Sequence, residues 1–171
     1  MKVAIVYDRV NKFGGAERFL KNILDIFPQA PIYTLVFNKE QASWVGEHEV
    51  HPTFLNKIPF FRSHHEILAP IASMAFETHD LRKFDLIISV TSADAKSVIT
   101  LPNQTHICIC LTPTRYLWSS LKIYTNDVKL KLLPKFLLKY FQTVDYLYSS
   151  KPDFFISISE EVKKRVKKYI K

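Results

Sequence analysis

The chain has 171 residues, 47% of them apolar and 23% charged, a balance that suits one folded domain with a sizeable core and excludes a disordered polymer. Two cysteines are too few for a disulfide scaffold, and no apolar run approaches the ~20 residues of a membrane span. The net charge of +8 is uneven: residues 1–120 carry 12 Lys/Arg against 11 Asp/Glu, whereas residues 121–171 carry 12 against 5. Basic character confined to the last third points to an anionic partner such as a membrane surface, a nucleic acid or a phosphorylated ligand.

Met1-Lys2 leads straight into an apolar run with no signal-peptide pattern, so a cytoplasmic location is expected. Strands are predicted over 3–7, 32–37, 85–90, 107–111 and 154–159. Their apolar character is continuous rather than alternating, as in parallel strands covered on both faces. Between them the spacing predicts helices over 16–27 (ended by Pro28), 40–45, 64–77 and 127–148, the last with a bend at Pro134. In the 64–77 helix, Ile67, Leu68, Ile71, Met74 and Ala75 mark the apolar side. A final helix over 160–170 has Ser159 as N-cap and Glu160 and Glu161 in its first turn. The segment 51–62, rich in Pro and Phe, reads as a short strand plus an irregular loop. Strands alternating with helices predict a Rossmann-like α/β fold, a doubly wound parallel sheet of about six or seven strands. Ligands of such sheets sit beyond the carboxyl ends of the strands, here residues 8–15, 91–96, 112–119 and 157–159.

Two of the three glycines, Gly14 and Gly15, stand together between the first strand and the first helix. Glycine lets backbone approach a ligand closely, and a helix N-terminus favours an anion such as phosphate. Neither G-x-G-x-x-G nor a P-loop is present, so a dinucleotide fingerprint is excluded. Cys108 and Cys110, two apart in "HICICL", read as small core residues. The six histidines read as surface or packing residues. His64-His65-Glu66 is not a zinc motif, and no metal site is expected.

The opening "MKVAIVYDRVNKFGGAERFLKNILDIFPQAPIYTLVF" resembles that of the family 4 retaining glycosyltransferases, two-domain enzymes of GT-B architecture. "FDLIISVTSADAKSVITLPNQTHICICLTPTRYLW" is similar to the family's strand, serine-rich loop, strand and Thr-Pro-x-Arg-Tyr-x-Trp segment. "PDFFISISEEVKKRVKKYIK" is similar to the last strand and helix of the acceptor-side domain. The resemblance covers essentially the whole chain in order. It implies that residues 1–171 form the N-terminal, acceptor-binding half of an enzyme that transfers a sugar from a GDP- or UDP-sugar, with a slight tilt toward GDP-mannose. The acceptor would be a glycan or a lipid-linked molecule. Gly14 and Gly15 would face the donor diphosphate across the cleft, stabilising charge on the leaving group. No cofactor beyond the nucleotide-sugar substrate is implied. The donor-binding domain would follow Lys171 or be supplied in trans, and without it the chain should not catalyse transfer.

By the same likeness Asp8, Asp94, Thr112, Arg115 and Tyr116 lie at the cleft or acceptor site. Asp8 can orient the glycine loop or touch the acceptor. Arg115 can hold an acceptor phosphate or carboxylate, or brace its own loop together with Tyr116 and Trp118. Leu111 stands where many relatives carry a histidine near the reacting hydroxyl, so no general base is assigned, and Asp94 is the nearest polar candidate. "KLKLLPKFLLKYF" interleaves Lys129, Lys131, Lys135 and Lys139 with Leu and Phe, the pattern of either a core-covering helix or an interfacial one on anionic lipid. No nucleic-acid module is recognisable. The alternative reading is a free-standing module, without catalysis, that binds a phosphorylated ligand or a membrane surface.

Overall fold

A computed structural model describes residues 1–63, 69–118 and 135–170. Among these residues, six strands form one all-parallel sheet: β1 (Val3–Tyr7), β2 (Ile32–Thr34), β3 (Val50–Pro52), β4 (Leu86–Thr91), β5 (Thr105–Cys110) and β6 (Phe154–Ser157). The described helices are α1 (Gly15–Ile26), α2 (Pro59–Ser63), α3 (Ala69–Glu77), the single turn α4 (Arg115–Trp118), α5 (Lys135–Tyr148) and α6 (Glu160–Tyr169). The strand order is β3-β2-β1-β4-β5-β6. The chain therefore builds outward from β1 in one direction, then crosses back to build outward on the other side from β4. That reversal makes the β1–β4 junction the topological switch point, and the architecture is a Rossmann-like doubly wound sheet.

The central strands form because their β-branched residues have apolar cover on both sides. In β1, Ala4 and Val6 face a core with Phe76, Leu81 and Phe84, while Ile5 and Tyr7 face a second core with Leu20 and Leu24 of α1. A third cluster packs Cys108 and Cys110 of β5 against Val162, Val166 and Ile170. Both cysteines are free and buried, and burial pushes each thiol up to about 12, leaving them as inert packing groups. α6 is capped as its sequence dictates, with the Val162 amide donating to the Ser159 hydroxyl at 3.2 Å. His79 packs edge-on to Tyr33, and burial lowers it to about 4.

Three expectations need correction. β2 stops at Thr34, where its partner β1 ends at Tyr7, and beyond it Val10 and Phe37 form only an isolated parallel bridge. The helix expected over 40–45 is a single 3-10 turn at Ser43–Val45. The apolar side of α3 is Ala72, Ala75 and Phe76, while Ile71 and Met74 are 42% and 63% exposed. In a stretch that is apolar almost all round, periodicity does not choose a face; seating the Phe76 ring in the core does. Residues 64–68 and 127–134 of the predicted helices, with His64, His65 and Pro134, lie outside the described residues.

On β6, Phe155 points to α6, and the alternate residues Phe154 and Ile156 are 60% and 50% exposed on the other side.

Candidate functional site

The carboxyl edge at the switch point is built around Asp8, the first residue after β1. Its carboxylate is buried and accepts from the Thr91 hydroxyl at 2.6 Å and from the amides of Ser92, Asp94 and Ala95 at 2.7, 3.1 and 3.0 Å. A buried carboxylate needs such donors, and a loop just past β4 needs an acceptor for its inward amides. Asp8 thus orients the loop after β4.

The same loop carries Asp94, half-buried beside Asp8. The Ser73 hydroxyl of α3 donates to its Oδ1 at 2.8 Å. Burial, against the pull of Lys96 and Ser73, raises its carboxyl to about 6. Because the folded value lies above the ordinary 3.8, the acid form is the one the fold favours. That contribution is complete below about pH 3.8 and is lost as pH rises through about 6. Asp94→Asn should therefore melt higher than the wild type at neutral pH, by a few degrees, and at the same temperature in acid below the ordinary carboxyl value. Thermal melts across that range check it; an equal gap at both ends removes the burial explanation.

Below this loop lies a buried ion pair. Lys96 donates to Asp145 of α5 at 2.7 Å, and both side chains are about 5% exposed. Asp145 also accepts from Thr114 at 2.9 Å and from the Trp118 indole at 2.6 Å. Burial alone would pull the Lys96 ammonium down, but Asp145 and then Asp94 outweigh it and hold the pKa above its ordinary value. One carboxylate thereby ties the loop after β4, the segment after β5 and α5 together. This cluster was not anticipated, although Asp145 lies on the inward side of its helix beside Val144 and Tyr148.

The glycine turn opens α1, with Gly14 as N-cap. Neither Gly14 nor Gly15 has a positive φ; among the described residues only Gly46 does, at 60°. The two differ in what surrounds them. A Cβ on Gly14 would meet Glu17 Oε2 at 3.1 Å, whereas a Cβ on Gly15 would meet nothing within 4 Å. Glu17 is buried and accepts from the Tyr7 phenol at 2.7 Å. Burial first, then Glu17, raises the Tyr7 phenol above its ordinary value, so it stays a donor. Glu17 also sits in the first turn of α1, where a carboxylate suits the helix dipole. Gly14 is thus explained by packing against Glu17. Gly15 has no such explanation and leaves the helix N-terminus open. The sequence carried a signal for Glu17, an acid at helical spacing from Leu20 and Leu24. From outside, Trp44 braces the turn by donating its indole N–H to the Lys12 carbonyl at 2.8 Å.

Of the other expected residues, Thr112 follows β5 and its hydroxyl donates to the Pro113 carbonyl at 3.3 Å. Arg115 and Tyr116 begin α4, and their side chains are outside the described part. Lys135 and Lys139 are exposed on α5; Lys129 and Lys131 lie outside the described residues. His106 is buried within the sheet, 2.9 Å from the Ser89 hydroxyl, and burial lowers it to about 4. No group of three or more His, Cys, Asp or Glu among the described residues is placed to hold a metal ion. A groove of about 510 Å³ lies between the second half of α1 and the Trp44–His48 turn. No helix among the described residues is long and apolar enough to cross a membrane. No family model, curated protein or solved structure matches the chain.

Proposed function

We propose that this chain is the acceptor-binding half of a retaining glycosyltransferase of the GT-B type, with the family 4 enzymes as its relatives. The observation that carries the reading is the open Gly15 position at the N-terminus of α1, at the carboxyl edge and beside the switch point. Backbone N–H groups there, with the helix dipole behind them, suit the diphosphate of a GDP- or UDP-sugar. The donor domain would close over this edge, in cis or in trans. The exposed Phe154 and Ile156 of β6 offer an apolar surface for such a partner. The acceptor, a glycan or a lipid-linked molecule, would lie along the loops after β4 and β5. Supplied with the donor domain, the chain should transfer a sugar from one of the two nucleotide-sugars with retention at the anomeric carbon. A complex that binds nucleotide-sugar and forms no glycoside sinks the reading.

A second reading, a membrane-surface module at the inner face of the cytoplasmic membrane, is favoured by α5. Phe136, Tyr140 and Leu147 are 75%, 60% and 60% exposed on a helix whose exposed charges are Lys135 and Lys139. Its only acid, Asp145, is turned inward and neutralised by Lys96. Such a face suits insertion beside anionic headgroups. The chain should bind vesicles containing phosphatidylglycerol and leave them as salt rises. The Lys135→Gln/Lys139→Gln pair should weaken binding on the order of thirtyfold, from about 1 kcal/mol per cation. Equal binding to neutral phosphatidylcholine vesicles defeats it.

A further inference from the structure

The groove between the second half of α1 and the Trp44–His48 turn has an apolar floor and a charged rim. Leu24 and Val45, both buried, form the floor with Pro28, and the half-buried Trp44 forms one wall. The Trp44 indole N–H is already donated to the Lys12 carbonyl, so the residue offers a ligand its ring surface rather than a hydrogen bond. Gly46 holds the turn at a φ of 60°, and a Cβ there would meet nothing within 4 Å, so the backbone lies open at that point. Lys21 and Asp25, one turn apart on α1, make up the exposed rim together with Gln29 and Glu47.

His48 also lines this groove, and its Nδ1 is buried with no hydrogen-bond partner among the described residues. A buried ring nitrogen left without a partner costs the fold, and a turn of the imidazole about its last torsion presents that nitrogen to a bound molecule. The rim is unsatisfied in the same way. Lys21 and Asp25 stand at the i, i+4 spacing at which opposite charges pair on a helix, yet among the described residues neither they nor Glu47 forms an ion pair or a side-chain hydrogen bond. A volume of about 510 Å³ is of the size that holds a small organic molecule rather than a lone ion. A bare cation would meet like charge at Lys21, and a bare anion would meet it at Asp25 and Glu47. A molecule with both charges on a compact apolar body complements rim and floor together. We propose that the groove binds a free α-amino acid with an aromatic or branched apolar side chain, as its zwitterion. The ammonium sits between Asp25 and Glu47, the carboxylate at Lys21, and the side chain against Trp44, with His48 completing the hydrogen bonds of the polar end. The inference goes beyond the glycosyltransferase reading and shares no residue with the glycine turn or with the loops after β4 and β5.

The test uses the 171-residue chain labelled with ¹⁵N and reads the Trp44 indole N–H and the Gly46 amide. The probes are phenylalanine and leucine at millimolar concentrations, each beside its two half-molecules. These are phenethylamine and 3-phenylpropionate for phenylalanine, and isoamylamine and 4-methylpentanoate for leucine. At least one amino acid should shift both signals to saturation. Its amine and its carboxylate should each bind at least about tenfold more weakly, the loss expected when one charge-assisted contact is removed. Lys21→Gln and Glu47→Gln change exposed side chains and should melt with the wild type, while each weakens the amino acid about tenfold. No saturating shift with either amino acid overturns the proposal. An amine that binds as tightly as its amino acid overturns it too, because the groove then takes a cation. A carboxylate that does so overturns it in the same way. Affinity unchanged in both the Lys21→Gln and Glu47→Gln proteins also overturns it, since the rim then recognises neither charge.

Discussion

Lys96→Met should lower stability by about 3–5 kcal/mol, the largest loss expected from any single change described for this chain. The methionine stem fills the space of the lysine stem but leaves the Asp145 carboxylate buried with, among the described residues, only Thr114 and Trp118 as donors. Each kcal/mol moves the melting temperature by roughly 2–4 °C in a chain of this size, so the midpoint should fall by roughly 6–20 °C. Asp145→Leu should be comparably damaging, because it strands the Lys96 ammonium with the Ala93 carbonyl as its remaining hydrogen-bond partner. The double variant removes both charges and should lose much less than the two singles added together. Thermal melts of the four proteins close the cycle. A Lys96→Met protein that melts with the wild type would show that the pair contributes nothing to the fold. Near-additive losses would show that the two residues act separately rather than as a pair.

That cluster also marks where reading the sequence reached its limit. Most of the sheet was legible because strands such as Val3–Tyr7 and Leu86–Thr91 are runs of β-branched and apolar residues bounded by helical spacing. The cap of α6 was legible because Ser159, Glu160 and Glu161 act within one turn. The Lys96–Asp145 contact spans 49 residues and joins a loop to a helix, so no local pattern announces it. Its trace was an acid placed among apolar neighbours on one side of a helix, and Glu17 in α1 left the same trace. Asp8 was legible as a residue of the carboxyl edge, but its partners were not, because the loop it holds is 84 residues away. α3 failed in the opposite way: with apolar residues on every side, it offered too much signal to choose a face. The glycine pair was visible at once, yet only packing separates its members, since Glu17 lies against Gly14 and nothing lies over Gly15.

That separation makes Gly15→Val the most informative functional variant. Gly15 has no positive φ, so a side chain brings no backbone strain, and its Cβ would enter open space. Valine is also a somewhat better helix residue than glycine, by a few tenths of a kcal/mol. The melting temperature should hold or rise slightly. If the open position admits a diphosphate to the N-terminus of α1, the valine methyls occupy the space the phosphate needs. Loss of one such backbone donor typically costs ~2.7–4 kcal/mol in the transition state, or about 10²–10³ in turnover. In the complex with the donor domain, Gly15→Val should therefore be stable and slow, with the loss carried by turnover more than by acceptor affinity. Gly14→Ala gives the reverse pattern. Its Cβ presses on the buried Glu17 carboxylate at 3.1 Å and disturbs the bond from Tyr7, so the melt should fall while activity per folded molecule is retained. Both variants are measured by thermal melting and by kinetics normalised to folded protein. A Gly15→Val enzyme with normal turnover removes the diphosphate from this turn, whatever happens at Gly14.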